Sequence, residues 1–200
     1  MTNRREFLQI GITATAWPLA PTAVRAAAQA PAADPLPLYK VVYDERFAAS
    51  IAFAERAAAL GLVTHAIAGD VTRLWYEELY HRWKEGPVAL AGLTAHGAMF
   101  CLEHLGRDHG LRVVFRAEHK VPAGGAVEHE MTGPLTMLRE GLALDTGVPW
   151  PACLADLVAH CPRGRAEVSR ATAAGPAGPD SRGAGAEALY SWVIAPAVKR

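Results

Sequence analysis

Residues 87–97 read Pro-Val-Ala-Leu-Ala-Gly-Leu-Thr-Ala-His-Gly. The apolar run 88–91 has the length of a buried strand, and the Gly-Leu-Thr that follows is typical of a turn. Thr94 is placed to cap a helix that carries His96. A strand that turns directly into a helix is the repeating unit of an α/β protein. In an open α/β sheet, ligands usually bind at such a turn, beyond the carboxyl end of the strand.

The same unit recurs on both sides of this stretch. Apolar runs predict strands at 38–43, 63–68, 88–91 and 111–117, and helical patterns separate them. Strands and helices that alternate at intervals of about 25 residues favour right-handed βαβ crossovers and a parallel sheet. We therefore expect one three-layer α/β domain over 38–200, with a mainly parallel, flavodoxin-like or Rossmann-like sheet.

The pattern changes after residue 120. Pro-Ala-Gly-Gly at 122–125 predicts a turn, and residues 126–131 then return as an antiparallel strand, which makes a hairpin at the sheet edge. Residues 171–186 are rich in Gly, Ala, Pro and Ser and predict a flexible loop. The other predicted elements are two short helices at 135–144 and 151–160 and a last strand at 189–194 that rejoins the sheet.

The first residues of the chain have the pattern of an export signal. Residues 3–9 read Asn-Arg-Arg-Glu-Phe-Leu-Gln, followed by a weakly apolar run from Ile10 to Ala20 and small-x-small cleavage patterns before residue 31. This leader resembles the twin-arginine (Tat) signal peptides. The resemblance implies a signal peptide over 1–30 that the Tat translocase reads, an Ala/Pro spacer over 31–37, and a periplasmic mature protein. Tat substrates cross the membrane folded, often with a cofactor or partner, so a larger exported redox enzyme is a candidate partner.

Charge and motifs exclude several classes of function. The chain has 20 basic and 20 acidic residues, and removal of the leader would leave a net charge of about −2. There is therefore no basic stripe for nucleic acid, and no apolar run after the leader is long enough to span a membrane. The sequence also lacks a dinucleotide fingerprint, a Walker motif, a haem-attachment motif and an iron–sulfur cysteine cluster, so no cofactor is predicted.

The predicted strand ends carry polar residues that a parallel sheet would bring to one rim. Helix N-termini near this rim would favour a small anionic ligand such as a carboxylate or phosphate, and an arginine would clamp it. An alternative is a small lyase, isomerase or hydrolase in which His96 acts as acid–base with Asp44 or Asp70. Taken singly, several of these residues are ordinary helix caps and turn formers. The candidate ligand-binding residues are Asp44, Arg46, Asp70, Thr72, Thr94, His96 and Arg116.

Two histidines flank the predicted hairpin turn. A register that pairs 118 with 129 and 119 with 128 would place each imidazole of His119 and His129 opposite a glutamate. Zn²⁺ or another divalent ion accepts such ligands, which makes the two histidines a candidate metal site. The simpler alternative is a pair of cross-strand His–Glu ion pairs on a solvated face.

Overall fold

The computed structural model describes residues 34–120, 126–141, 148–163, 168–175 and 187–197. Seven strands in these ranges form one mixed sheet in the order β2-β1-β3-β7-β4-β5-β6. The predicted signal peptide and the predicted 122–125 turn lie outside the described residues. The strands are β1 (Leu38–Asp44), β2 (Thr64–Ile67), β3 (Ala89–Ala95), β4 (Leu111–Lys120), β5 (Val127–Pro134), β6 (Val168–Gly175) and β7 (Leu189–Pro196).

Helices connect the strands on both sides of the sheet. The middle of the second connection is a π-helical segment, Trp75–Leu79, between α2 and α3. Gly61 has a φ of 83°, as expected for the glycine that ends α1. The helices are α1 (Ala48–Ala59), α2 (Thr72–Leu74), α3 (Tyr80–Glu85), α4 (His96–Asp108), α5 (Leu135–Gly141) and α6 (Trp150–Ala159).

The expectation of a mainly parallel, flavodoxin-like or Rossmann-like sheet is wrong. Only β1 pairs in parallel, with β2 and with β3, and every other strand pair in the described sheet is antiparallel. The reason is the position of β7, which enters between β3 and β4 and runs opposite to both. The alternation of strands and helices predicted the crossover from β3 through α4 to β4. It did not predict that β7 would occupy the position between these two strands.

Two further predictions are corrected in part. Residues 168–175 form β6, the strand at the outer end of the sheet, so the prediction of a loop is wrong for residues 171–175. Its residues 176–186 lie outside the described part. The predicted 31–37 spacer is partly fixed to the fold, because the Leu36 amide donates to the Cys161 carbonyl (2.7 Å) and the Arg163 amide donates to the Asp34 carbonyl (3.0 Å).

Each face of the sheet has its own apolar core. Helices α1, α5 and α6 cover one face, where Phe53, Phe115 and Leu154 are buried. We call this the α6 face. The segment α2–α3 and helix α4 cover the opposite face, where Leu79 and Trp192 are buried. Because side chains alternate along a strand, neighbouring residues of β7 serve different cores.

Gly92 lies at the centre of the sheet and inside β3, not in a turn. Its Cβ position would be 2.5 Å from the Val42 carbonyl oxygen and 2.5 Å from Cζ2 of Trp192. The indole of Trp192 therefore occupies the space that a side chain at residue 92 would need. Strand β3 continues through Thr94 to Ala95, and α4 begins at His96.

We predict that Gly92→Ala lowers the free energy of unfolding by roughly 3 kcal/mol, because the new methyl group would force backbone and indole apart. Gly97→Ala is the matched control, since nothing lies within 4 Å of its Cβ position. A helical glycine replaced by alanine gains up to about 1 kcal/mol. Urea unfolding of the two variants measures the difference, and equal stabilities would contradict the packing described.

Candidate functional site

The predicted rim exists as an edge of the sheet. Strand β4 is antiparallel to β7, and β7 is antiparallel to β3, so β4 runs in the same direction as β1, β2 and β3. Their carboxyl ends therefore share one edge, as predicted. Strand β7 separates β3 from β4, however, so two strand spacings of about 5 Å each lie between Thr94 and the end of β4.

The arginine predicted to clamp an anion is already bound to the protein. Arg46 donates from Nε to Asp44 Oδ1 (2.8 Å) and from a terminal nitrogen to Asp44 Oδ2 (2.7 Å). The same guanidinium lies against Gly69. Hydrogen bonding to Asp44 raises the pKa of Arg46, and the Asp44 carboxylate is fully buried. This bidentate pair stabilises the end of β1 and uses the Nε side of the Arg46 guanidinium.

Three other rim residues have structural contacts. Asp70 accepts a hydrogen bond from the Thr72 amide (2.8 Å), and hydrogen bonding to Thr72 lowers the pKa of Asp70. Thr72 is the first residue of α2 and follows the N-cap residue Val71, so the predicted cap at Thr72 is wrong. Thr94 does not cap α4 either. Its hydroxyl is buried, accepts from Trp192 Nε1 (3.1 Å) and donates to the Ala95 carbonyl (3.0 Å).

His96 and Arg116 lie on the surface. The His96 ring contacts Tyr190 at a centroid distance of 5.1 Å and Phe100 at 5.9 Å. The hydrogen bonds of Asp44 and Asp70 go to other groups, and none joins either carboxylate to His96. The seven rim residues therefore do not converge on one site, and the structure does not form the expected His96–carboxylate pair.

The structure does bring together the two hairpin histidines. Their register is one residue away from the predicted one: His119 faces His129 across the β4–β5 pair, and Glu118 faces Glu130. A shift of one residue changes which side chains are opposite each other. The imidazoles consequently lie together on the α6 face, and the glutamates lie on the other face. Both histidines are 1% exposed, so the predicted solvated His–Glu pairs are not formed.

A continuous chain of hydrogen bonds links three side chains from three strands. His119 Nδ1 is 2.7 Å from His129 Nδ1, and His119 Nε2 is 2.9 Å from the Ser191 hydroxyl. Strand β4 supplies the first histidine, β5 the second and β7 the serine. We call Ser191, His119 and His129 the imidazole chain. Hydrogen-bonded polar groups of this kind, fully removed from solvent, fix one another's orientation.

One end of the imidazole chain has no partner. His129 Nε2 is buried, and no described residue forms a hydrogen bond with it. In β6, Ala173 faces His129 in the register, and the Cβ position of Gly175, two residues further along, would be only 2.9 Å from this nitrogen. The Trp150 ring packs over both imidazoles, with centroid distances of 4.9 Å to His119 and 5.3 Å to His129. Gly175 and the Trp150 ring thus pack against an imidazole nitrogen that has no hydrogen-bond partner among the described residues.

Burial keeps both imidazoles neutral. Removal from water lowers the pKa of His129 to about 4, and it lowers the pKa of His119 well below its usual value, with a further contribution from His129. No carboxylate contributes to either shift. At neutral pH the imidazole chain therefore has one N–H hydrogen on each ring and no net charge.

The candidate metal site lacks a third ligand. In the described part of the chain, no group of three or more His, Cys, Asp or Glu side chains is placed to hold a metal ion. The Nδ1 atoms of the two histidines also face each other rather than a common point outside the pair. None of the three cysteines forms a disulfide, and Cys161 is buried, which raises its pKa to about 12.

Sequence reasoning identified the two histidines but missed Ser191, Trp150 and Gly175. A serine inside the apolar strand 189–194 was the available signal, because a buried hydroxyl needs a partner. Gly175 was assigned to the predicted loop, so its place beside a histidine was not visible from the sequence.

Comparison of the chain with protein-family models found no match, and comparisons with curated proteins and with solved structures found none either. Within the described ranges, no helix is both long and apolar enough to cross a membrane.

We predict that acid destabilises the protein through the imidazole chain. A histidine whose folded-state pKa is lowered takes up its proton first in the unfolded state, so stability falls as pH drops from about 6.5 toward 4. The slope is of order 1 kcal/mol per pH unit for each imidazole. Urea unfolding across this range should show a shallower slope for His119→Gln/His129→Gln than for the wild type.

His96→Gln is the control for this measurement, because it removes an exposed imidazole and should leave the wild-type slope unchanged. An identical slope in the wild type and the double variant would show that the two buried imidazoles do not cause the loss of stability in acid.

Proposed function

We propose that the protein binds a small polar ligand at the His129 end of the imidazole chain, in the compartment to which its leader sends it. The observation that carries this proposal is the unpartnered His129 Nε2, in a side chain that is 1% exposed. A buried nitrogen without a hydrogen-bond partner costs about 1–3 kcal/mol. A ligand that supplies the missing partner recovers this free energy, so the site favours an occupant.

The surroundings of His129 support a binding site. Gly175 lies directly against the His129 ring, since a Cβ there would be 2.9 Å from Nε2, and the Trp150 ring provides an apolar surface next to it. Trp150 Nε1 is also buried without a partner among the described residues, so the same aromatic residue carries a second unused donor. Small-ligand sites commonly combine apolar walls with a few polar atoms whose positions are fixed.

A panel of small carboxylic acids, amides and alcohols tests this proposal through thermal unfolding. A ligand present at a hundredfold excess over its Kd stabilises a protein by about 2.7 kcal/mol, which raises Tm by several degrees at this chain length. We expect stabilisation in the wild type and in His96→Gln. We expect none in His129→Gln, which changes the binding nitrogen, or in Gly175→Ala, whose methyl group would occupy the space beside it.

The Gly175→Ala variant is informative because it keeps all three members of the imidazole chain. Stabilisation that persists in both Gly175→Ala and His129→Gln would place the ligand elsewhere. If no compound in the panel raises the Tm of the wild type, the proposed binding site is contradicted. Circular dichroism of each variant checks that it is folded.

We also propose export by the Tat pathway, which rests on the resemblance of residues 3–9 to the Tat motif. Arg4→Lys/Arg5→Lys should keep the precursor in the cytoplasm, because the translocase reads the arginine pair. Arg25→Lys, outside the motif, is the control and should be exported. Fractionation and immunoblotting measure both, and equal export of the double variant and the control would contradict the assignment.

A further inference from the structure

We infer that the ligand is a small weak acid, which binds as its anion while its proton rests on Nε2 of His129. This inference rests on the proposed binding site and names the chemical class of its occupant. It follows from how hydrogens are distributed along the imidazole chain and from the lack of charge around it.

The contact between the two Nδ1 atoms restricts the tautomers of both rings. At 2.7 Å, one Nδ1 donates a hydrogen and the other accepts it. If His119 donates, the neutral His129 ring carries its hydrogen on Nε2. If His129 donates, its Nε2 is bare and accepts a hydrogen from a ligand. The imidazole chain therefore has two neutral arrangements. In one of them the bare Nε2 of His129 is available as a base.

Ser191 is compatible with both arrangements of the imidazole chain. A hydroxyl both donates and accepts, so Ser191 serves as donor to His119 Nε2 in the first arrangement and as acceptor from it in the second. Each imidazole carries one hydrogen in both arrangements, so the two differ in tautomer and not in net charge. The bare Nε2 is thus available without the loss of the contact between His119 and Ser191.

Charged groups do not face the imidazole pair from the described elements around it. On β4 and β5 the neighbouring Glu118, Lys120, Glu128 and Glu130 alternate onto the opposite face of the sheet. From β6 the neighbour is Gly175, and from β7 it is Ser191. From α6 it is Trp150, while Asp156 of that helix pairs with Arg56 on the surface. An anion entering alone would find no counter-charge among these described residues.

A weak acid overcomes this difficulty because it brings a proton. Its O–H bond breaks, an N–H bond forms at Nε2 of His129, and the resulting anion lies beside an imidazolium that is hydrogen-bonded to His119. The pair of ligand and site keeps zero net charge, which avoids the large cost of a single buried charge. Burial lowers the pKa of the free His129 to about 4, so this proton has to arrive with the anion.

Titration calorimetry of the wild-type protein with formate and acetate tests the inference. Between about pH 5.5 and 8, we expect the affinity for either anion to fall tenfold for each unit of pH, since one proton is taken up per anion. Titrations in two buffers with different ionisation enthalpies should give that proton count directly. Nitrate, the anion of a strong acid, should not bind at neutral pH. In ¹⁵N spectra, His129 should carry hydrogen on both nitrogens only in the complex.

The outcomes separate this inference from the proposed function. Suppose that formamide or an alcohol binds, while the carboxylates bind without pH dependence or do not bind. This result would overturn the inference that the ligand is a weak acid, but it would support the proposed binding site. A complex in which Nε2 carries no hydrogen would overturn the proton transfer. If none of the molecules binds the wild type, both proposals fail. His96→Gln should reproduce the wild-type pH dependence, and His129→Gln should lose the proton uptake.

Discussion

The indole of Trp192 against Gly92 is the contact on which the sheet depends. It fills the space of the missing side chain and donates to the Thr94 hydroxyl, 98 positions earlier in the chain. This contact fixes β7 beside β3, and β7 in turn holds β4. One half of the sheet is a parallel βα unit, and the other half is the antiparallel β4–β5 pair with its neighbour β6. The two halves meet through β7.

The same strand positions the imidazole chain. Trp192 and Ser191 are consecutive residues, so when the indole is fixed on one face, the hydroxyl is fixed on the other. Ser191 lies opposite Ala117 in the β4–β7 register, next to His119 on the same face. The candidate site is therefore placed by a packing contact on the opposite side of the sheet. Its geometry depends on side-chain alternation along β7 and not on a local loop.

Much of the local structure could be predicted from the sequence. Apolar runs identified six of the seven strands, and the glycine at residue 61 marked the end of the first helix. The direction and order of the strands could not be read in this way, because they depend on contacts between distant residues such as Gly92 and Trp192. Strand β6 was missed, because its alanine, serine and glycine content has weak strand preference.

The candidate site shows the same limit. Histidines at 119 and 129 were visible as a pair around a turn, but an error of one residue in the register assigned glutamates as their partners. The rim residues were typical of caps and turns, and Asp44 and Asp70 accept hydrogen bonds from the backbone amides of Arg46 and Thr72. What distinguishes the imidazole chain is an unused nitrogen in the interior, which depends on three-dimensional packing and leaves no mark on the sequence.

The position of β7 has a consequence for how the chain folds. The strand at the middle of the sheet is the one closest to the carboxyl end among the described strands, and its partners lie about 70 to 100 residues before it. During synthesis, β3 and β4 would each wait with one edge unpaired until β7 emerges. Such long sequence separations slow folding, and open strand edges bind other chains. A cell making this protein has to protect two exposed edges while the roughly 70 residues between β4 and β7 are synthesised.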